Sequence, residues 1–234
     1  MSGREGTPVL EISGAVPEPA GSRLPSVPLD LRVMAGDCIL IHVGSALQAR
    51  DFADVCCGLI PLRNGSVRFL GRDWANTPNE LAAALRGHIG RALAAESWIG
   101  FLPTDINILL AQLHHTRLAE HALRATATEL SVAFGLPGLP VMRPDALTSA
   151  DLLRASCVRA FMGQPRLLLL ENPELERVED LVPALLNALL TVHDQPAASI
   201  WLTPGELLWN DRSFPASVRL RLAQRGLVPV RGTV

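Results

Sequence analysis

The chain has 234 residues, 48% hydrophobic and 19% charged, the balance of a folded globular protein with a sizeable core rather than a disordered segment. Its formal net charge is −2, aromatic residues make up only 4%, and the arginines are dispersed, so no basic face points to nucleic acid. No lysine occurs anywhere, which closes the chain to any chemistry that requires a lysine amine.

Residues 8–14, PVLEISG, alternate enough to predict a first strand, and the Pro-, Gly- and Ser-rich stretch 15–28 predicts a loop. LDLRVMAGD gives a strand ending in a Gly-Asp turn. CILIHVG is a continuous apolar run, which suits a strand buried on both faces of a parallel sheet. ARDFADVCCGLI then carries apolar residues at helical spacing. Asn64-Gly65 is a hairpin signal, with VRFLGRDW as the strand that follows. ELAAALRGHIG, ending at Gly90, reads as helix, and residues 104–134 are mostly helical until GLPGLP stops them.

Within 147–173, LTSADLLRASCVRAFMGQPRLLLLENP, Thr148, Ser149 and Asp151 can cap a helix whose apolar face includes Leu152, Leu153, Ser156 and Phe161. RLLLLEN is a buried strand with polar residues at its carboxyl end, where open parallel sheets bind ligands. VEDLVPALLNALLTV predicts another helix, SIWLT a short strand, and the tail is mixed. Strands alternating with helices argue for an α/β sheet.

The run WIGFLPTDINILLAQL is broken by Pro103, Asp105 and Asn107, and falls short of the ~18 apolar residues of a membrane span. The N-terminus lacks the charged-then-apolar layout of a secretory signal, so the cytoplasm is the expected compartment. Cys38, Cys56, Cys57 and Cys157 form no C-x-x-C pair and read as small core residues rather than metal ligands. His114 and His115 are adjacent and point to different faces of a helix.

The order of these pieces resembles the ATPase subunit of an ABC transporter over nearly the whole chain. AGDCILIHVG resembles the strand leading to the phosphate loop, and CGLIPLRNGSVRFLGRDW the segment ending in a glycine-rich hairpin. LTSADLLRASCVRAFMGQPRLLLLENP resembles the signature helix and the second nucleotide-contacting strand. IGFLPTDINILL resembles the stretch that touches the membrane partner, and RAFMGQP looks closest to the ATPases of MCE-type (Mla-like) lipid transporters. The resemblance implies a P-loop NTPase-like α/β core with a mixed sheet plus a helical subdomain. One domain spans 1–234, with core at 8–76 and 162–234 and the helical part at 77–161.

Taken residue by residue, the motifs of that family are altered. A phosphate loop reads G-x-x-x-x-G-K-(S/T), its backbone N–H groups and lysine gripping phosphate and its hydroxyl holding magnesium. Here it starts at Gly44; Ala49 stands at the second glycine, Arg50 at the lysine and Asp51 at the hydroxyl. A register shifted by one puts Ala49 at the lysine instead. Asp51 would repel a polyphosphate, and the planar fork of Arg50 does not replace a compact ammonium. The Asp-Glu pair after the second strand becomes Glu171-Asn172. Glu171 is the one residue that could act through a metal. Asn172 accepts no proton from water, and loss of a general base is worth about 10²–10⁴-fold.

The signature segment keeps Thr148 and Ser149 but neither glycine, the glutamine-loop position falls at Ala94, and the late histidine at Pro204. No Phe, Trp or Tyr precedes Phe52, so an adenine-stacking residue is missing from the first loop.

Loss at all these positions leads to a chain that keeps the ATPase scaffold without hydrolysing ATP. No catalytic residue and no cofactor are then expected, with ATP and Mg binding only where a residual site survives. The partners implied are a transporter's membrane (permease) subunit, touched through Trp98, Ile99 and Phe101, and a second ATP-binding subunit in a homodimer or heterodimer. The expected location is the cytoplasmic face of the inner membrane. The alternative is an ATPase with a non-standard site built from Arg50, Glu171 and the hydroxyl of Thr148 or Ser149.

Overall fold

A computed structural model describes residues 6–93, 98–171, 175, 177–178, 180–191 and 197–230. In chain order the elements are β1 (Leu10–Pro17), β2 (Leu29–Val33), β3 (Cys38–His42), α1 (Ala46–Cys56), β4 (Leu62–Phe69), β5 (Arg72–Asp73), α2 (Asn79–Arg86) and β6 (Ile89–Ala92). There follow α3 (Thr104–His115), α4 (Glu120–Ala133), α5 (Ser149–Phe161), β7 (Leu167–Leu170), α6 (Leu181–Thr191), β8 (Ala198–Thr203), α7 (Leu207–Asn210), β9 (Val218–Ala223) and β10 (Gly226–Pro229).

Two sheets result. β2-β1-β4-β5 is antiparallel, and β10-β9-β3-β8-β7-β6 is parallel except where β9 and β10 pair.

The central strands β3, β7 and β8 are largely apolar because each face has its own core. Ile39, Ile41, Leu167, Leu169, Ile200 and Leu202 face α1 and the antiparallel sheet. Leu40, Leu168, Leu170 and Trp201 face the helices. This period-2 division is the reason an unbroken apolar run such as CILIH makes a central strand. Trp201 is 1% exposed and meets Phe214 edge-on at 5.1 Å. Truncating so large a buried side chain costs about 3–5 kcal/mol.

α3, α4 and α5 pack together around Leu109, Leu123, Leu130 and Phe161. Phe134 and Phe161 stack edge-on at 5.1 Å. α5 also lies tightly against β6, where a Cβ on Gly90 would overlap the Ala160 carbonyl oxygen.

Two sequence expectations need correction. Asn64-Gly65 is no hairpin turn, because β4 runs unbroken through it. The pairing with β1 steps from Ser13↔Ser66 to Val16↔Asn64, so two residues face one in a bulge. Gly14 (φ 55°) and Gly65 (φ 79°) take the positive angles that the bulge requires, and the signal for positive φ was therefore right while its use was wrong. The hairpin lies at Leu70 (φ 50°) and Gly71 (φ 77°), joining Phe69 to Arg72.

The second correction concerns 77–161, expected to be a helical unit. That span contributes β6 to the parallel sheet, paired with β7 from Ile89↔Leu167 to Ala92↔Leu170. ELAAALRGHIG divides accordingly: α2 ends at Arg86, and IGRA is a strand whose alternation is too short to show in a helical window.

Candidate functional site

The carboxyl ends of β3, β7 and β8 meet beside the N-terminus of α1. Between β3 and α1 stand only Val43, Gly44 and Ser45. Val43 N–H donates to the Thr203 carbonyl (3.0 Å) and so holds the junction to β8. Ser45 caps the helix, its Oγ accepting from Gln48 N–H at 3.1 Å. Gly44 N–H donates to Gln48 Oε1 at 2.7 Å, and Gln48 Nε2 donates to the Arg23 carbonyl at 3.4 Å. A backbone donor that could meet an anion is thus answered by the chain's own amide oxygen.

Ala49, Arg50 and Asp51 lie inside α1 rather than in a loop around a ligand, because the helix starts at Ala46. Ala49 is fully buried and Arg50 is exposed. Asp51 is buried beneath the segment that carries Arg23, accepting its backbone N–H at 2.6 Å with the guanidinium at 3.6 Å. The repulsive carboxylate expected from the sequence is therefore committed to a strap from the β1–β2 connection.

A charge cluster of Arg91, Asp54 and Glu171 joins three elements. β6 and β7 run parallel with Arg91 opposite Leu169, so Arg91, Leu169 and the next residue but one, Glu171, share the face toward α1. Arg91 grips both Glu171 oxygens, Nε to Oε1 at 2.6 Å and Nη2 to Oε2 at 2.8 Å. Its Nη1 donates to Asp54 Oδ1, on α1, at 2.6 Å. The side chains are 16% (Arg91), 3% (Glu171) and 23% (Asp54) exposed.

Burial works against both charges of the pair. The hydrogen bonds and charge of Glu171 overcome it at Arg91, whose pKa is raised. At Glu171 burial pushes the carboxyl up, and Arg91 pulls the other way. Bidentate charge-assisted geometry of this kind is the strong form of an ion pair. Nearby, burial raises the Cys56 thiol well above its ordinary range and pushes Cys57 up to about 12, so both are neutral packing groups.

The fold set out above coincides with those of known transport cassettes. MJ0796, a bacterial ABC transporter cassette solved as a dimer, superposes with a TM-score of 0.77 at 16% identity, over 95% of this chain and 99% of that one. Its post-hydrolysis dimer with ADP and phosphate gives 0.75 at 15% identity over 95% and 99%. CbiO1 of Clostridium perfringens, part of the transporter complex cbiONQ, gives 0.73 at 12% identity over 95% and 88%.

The chain has the ABC ATPase cassette fold.

In sequence, the chain is 24% identical over 184 residues to the bacitracin export ATP-binding protein BceA of Halalkalibacterium halodurans, covering 73% of this chain and 72% of that protein. It is 29% identical over 123 residues to the phosphonates import ATP-binding protein PhnC of Nocardia farcinica, covering 50% of this chain and 46% of that protein. No protein-family model matches the chain.

A nucleotide with magnesium is the group this fold implies, and three of the groups placed to meet it are already partnered within the chain. Glu171 has both oxygens held by Arg91, Asp51 is held under Arg23, and Gly44 N–H is held by Gln48.

The N-terminus of α5 is likewise closed on itself. Thr148 caps α5, its Oγ1 accepting from Asp151 N–H at 3.1 Å and donating to Asp151 Oδ2 at 2.7 Å, while Ser149 is exposed. A carboxylate over the first turn neutralises the end of the helix dipole that would favour an anion. Pro204 is half-buried directly after β8. Ala94 and Asn172 lie outside the described residues.

Of the three residues expected to meet a membrane partner, one is openly exposed. Trp98 is half-buried against the helical core with the Arg159 guanidinium 4.5 Å from its ring centre. Ile99 is half-buried, its N–H donating to Asn107 Oδ1 at 2.9 Å. Phe101 is 74% exposed. Beside it, Thr104 donates from its backbone N–H (2.9 Å) and its Oγ1 (2.7 Å) to the Met142 carbonyl, which brings exposed Val141 and Met142 next to the same turn.

Sequence reasoning missed those two and also Asp54, Arg91, Gln48 and Arg23. A charged residue inside a four-residue strand, IGRA, was the one local sign of Arg91.

Proposed function

We propose that this cassette is a non-hydrolysing subunit, a structural or regulatory component of an ABC transport complex. The observation that carries the reading is the grip of Arg91 on both oxygens of Glu171. Phosphoryl transfer depends on positioned charge acting in concert, with a metal on a carboxylate and a residue that orients the attacking water. Here the carboxylate is spent on an internal cation, and the sequence offers Asn172 where a base would stand. The rigid two-faced core is retained, and it supports the exposed Phe101, Val141 and Met142 as a contact for a permease subunit, with a second cassette subunit completing a dimer. MCE/Mla-type lipid transport is the setting we favour, supported by the RAFMGQP stretch alone; the two sequence relatives carry names of bacitracin export and phosphonate import.

Purified protein with Mg-ATP should release phosphate no faster than a buffer control and gain no thermal stability. A ligand at 100 times its Kd would add about 2.7 kcal/mol, which a melt detects. Magnesium-dependent phosphate release abolished by Glu171→Ala would sink the proposal. A second reading, ATP binding without hydrolysis, is favoured by the ATP-binding names of both relatives and by the exposed Arg50 on α1. A saturable melting shift with no phosphate release would select it.

A further inference from the structure

We infer that Arg91 is a resident counterion standing where a divalent cation would otherwise sit, so that Asp54 and Glu171 form a cation site that the protein fills from within. The inference rests on the non-hydrolysing reading of the same site. Three carboxylate oxygens, Asp54 Oδ1 and Glu171 Oε1 and Oε2, converge on one guanidinium at 2.6, 2.6 and 2.8 Å. They come from α1 and from the end of β7, and the guanidinium comes from β6, so the cation ties together three elements that a bound ligand would otherwise order. Hard divalent cations take such an all-oxygen set and complete it with water. The cluster has no need of a ligand from solution because its cation is covalently part of the chain.

Arg91→Ala should convert the filled site into an open one. The probe is Mn²⁺, read by electron paramagnetic resonance titration and by melting temperature. Wild-type protein is expected to bind no Mn²⁺ saturably and to melt at the same temperature with and without millimolar Mn²⁺. Arg91→Ala should bind one equivalent and regain about 3 °C of melting temperature for each tenfold excess over Kd. Low-millimolar free guanidinium should compete with the metal, and Arg91→Ala/Glu171→Gln should bind at least tenfold more weakly.

Should Arg91→Ala fail to fold, Arg91→Gln, which keeps more of the volume, carries the same expectation. Folded Arg91→Ala or Arg91→Gln without saturable Mn²⁺ binding overturns the inference. So does wild-type binding that Glu171→Gln abolishes. Phosphate release by the wild type overturns the non-hydrolysing reading instead, so the two failures are told apart.

Discussion

Replacing Arg91 by methionine removes the cation and keeps most of its volume, which isolates charge from cavity effects. The Glu171 side chain is 3% exposed and that of Arg91 16%, so the pair belongs with buried rather than surface bridges. Breaking a buried pair from one side costs about 3–5 kcal/mol, since the remaining charge is left uncompensated. The 23% exposure of Asp54 lets water answer its carboxylate, which puts the expected loss near the lower bound, about 3 kcal/mol. With a urea m-value near the upper end of the usual ~1–3 kcal/mol/M for a chain of this length, the midpoint should fall by about 1 M.

The loss should also depend on pH. In Arg91→Met, burial and the charge of Asp54 both raise the Glu171 carboxyl, and of the cations that oppose them only Arg50, the smallest contributor, remains. A carboxyl with a folded pKa above its unfolded one contributes most below the unfolded pKa and loses that contribution as pH rises through the folded pKa. The deficit relative to wild type should therefore be larger at pH 8 than at pH 5. Urea unfolding followed by tryptophan fluorescence at both pH values measures it. In Arg91→Met/Glu171→Leu most of the stability should return, because an apolar pair removes the orphaned charge. A deficit under about 1 kcal/mol at pH 8, the size of a surface pair, would refute the reasoning, as would a double variant no better than the single one.

Gly65→Val should destabilise by well over 1–2 kcal/mol, the approximate cost of positive φ for a residue with a Cβ, because that atom would also overlap the Gly14 carbonyl; a melt unchanged within a degree would contradict the bulge. Native protein at pH 8 should react slowly with an aromatic disulfide reagent at all four cysteines. Burial pushes the thiols of Cys57 and Cys157 up to about 12 and raises those of Cys38 and Cys56, so prompt labelling of any one before urea is added would count against it. Gln48→Ala should lower stability by no more than about 1.5 kcal/mol, with no gain in Mg-ATP binding while Asp51 stays in place; a new nucleotide-dependent melting shift would show that the glutamine alone closes the loop. Phe101→Asp should leave the melt unchanged and abolish co-purification with a co-expressed permease subunit, and retained co-purification would move the contact elsewhere.

The scaffold could be read from the sequence because its signals are local. CILIH and RLLLL are apolar without alternation, which only a strand covered on both sides tolerates, and Thr148 with Asp151 announces the start of α5 within four residues. The same locality misled at Asn64-Gly65, where a demand for positive φ was met by a bulge, and at GHIGRA, where a four-residue strand lay in the shadow of a helix. The order of elements was enough to suggest a cassette. What became of Glu171 was decided by a residue 80 positions away in the chain. Arg91 reaches it only because β6 is laid parallel to β7 in one register, and a shift of one residue would turn Arg91 to the opposite face. Electrostatic partnership is a property of distance in space, and that distance is fixed by sheet pairing rather than by any pattern along the chain.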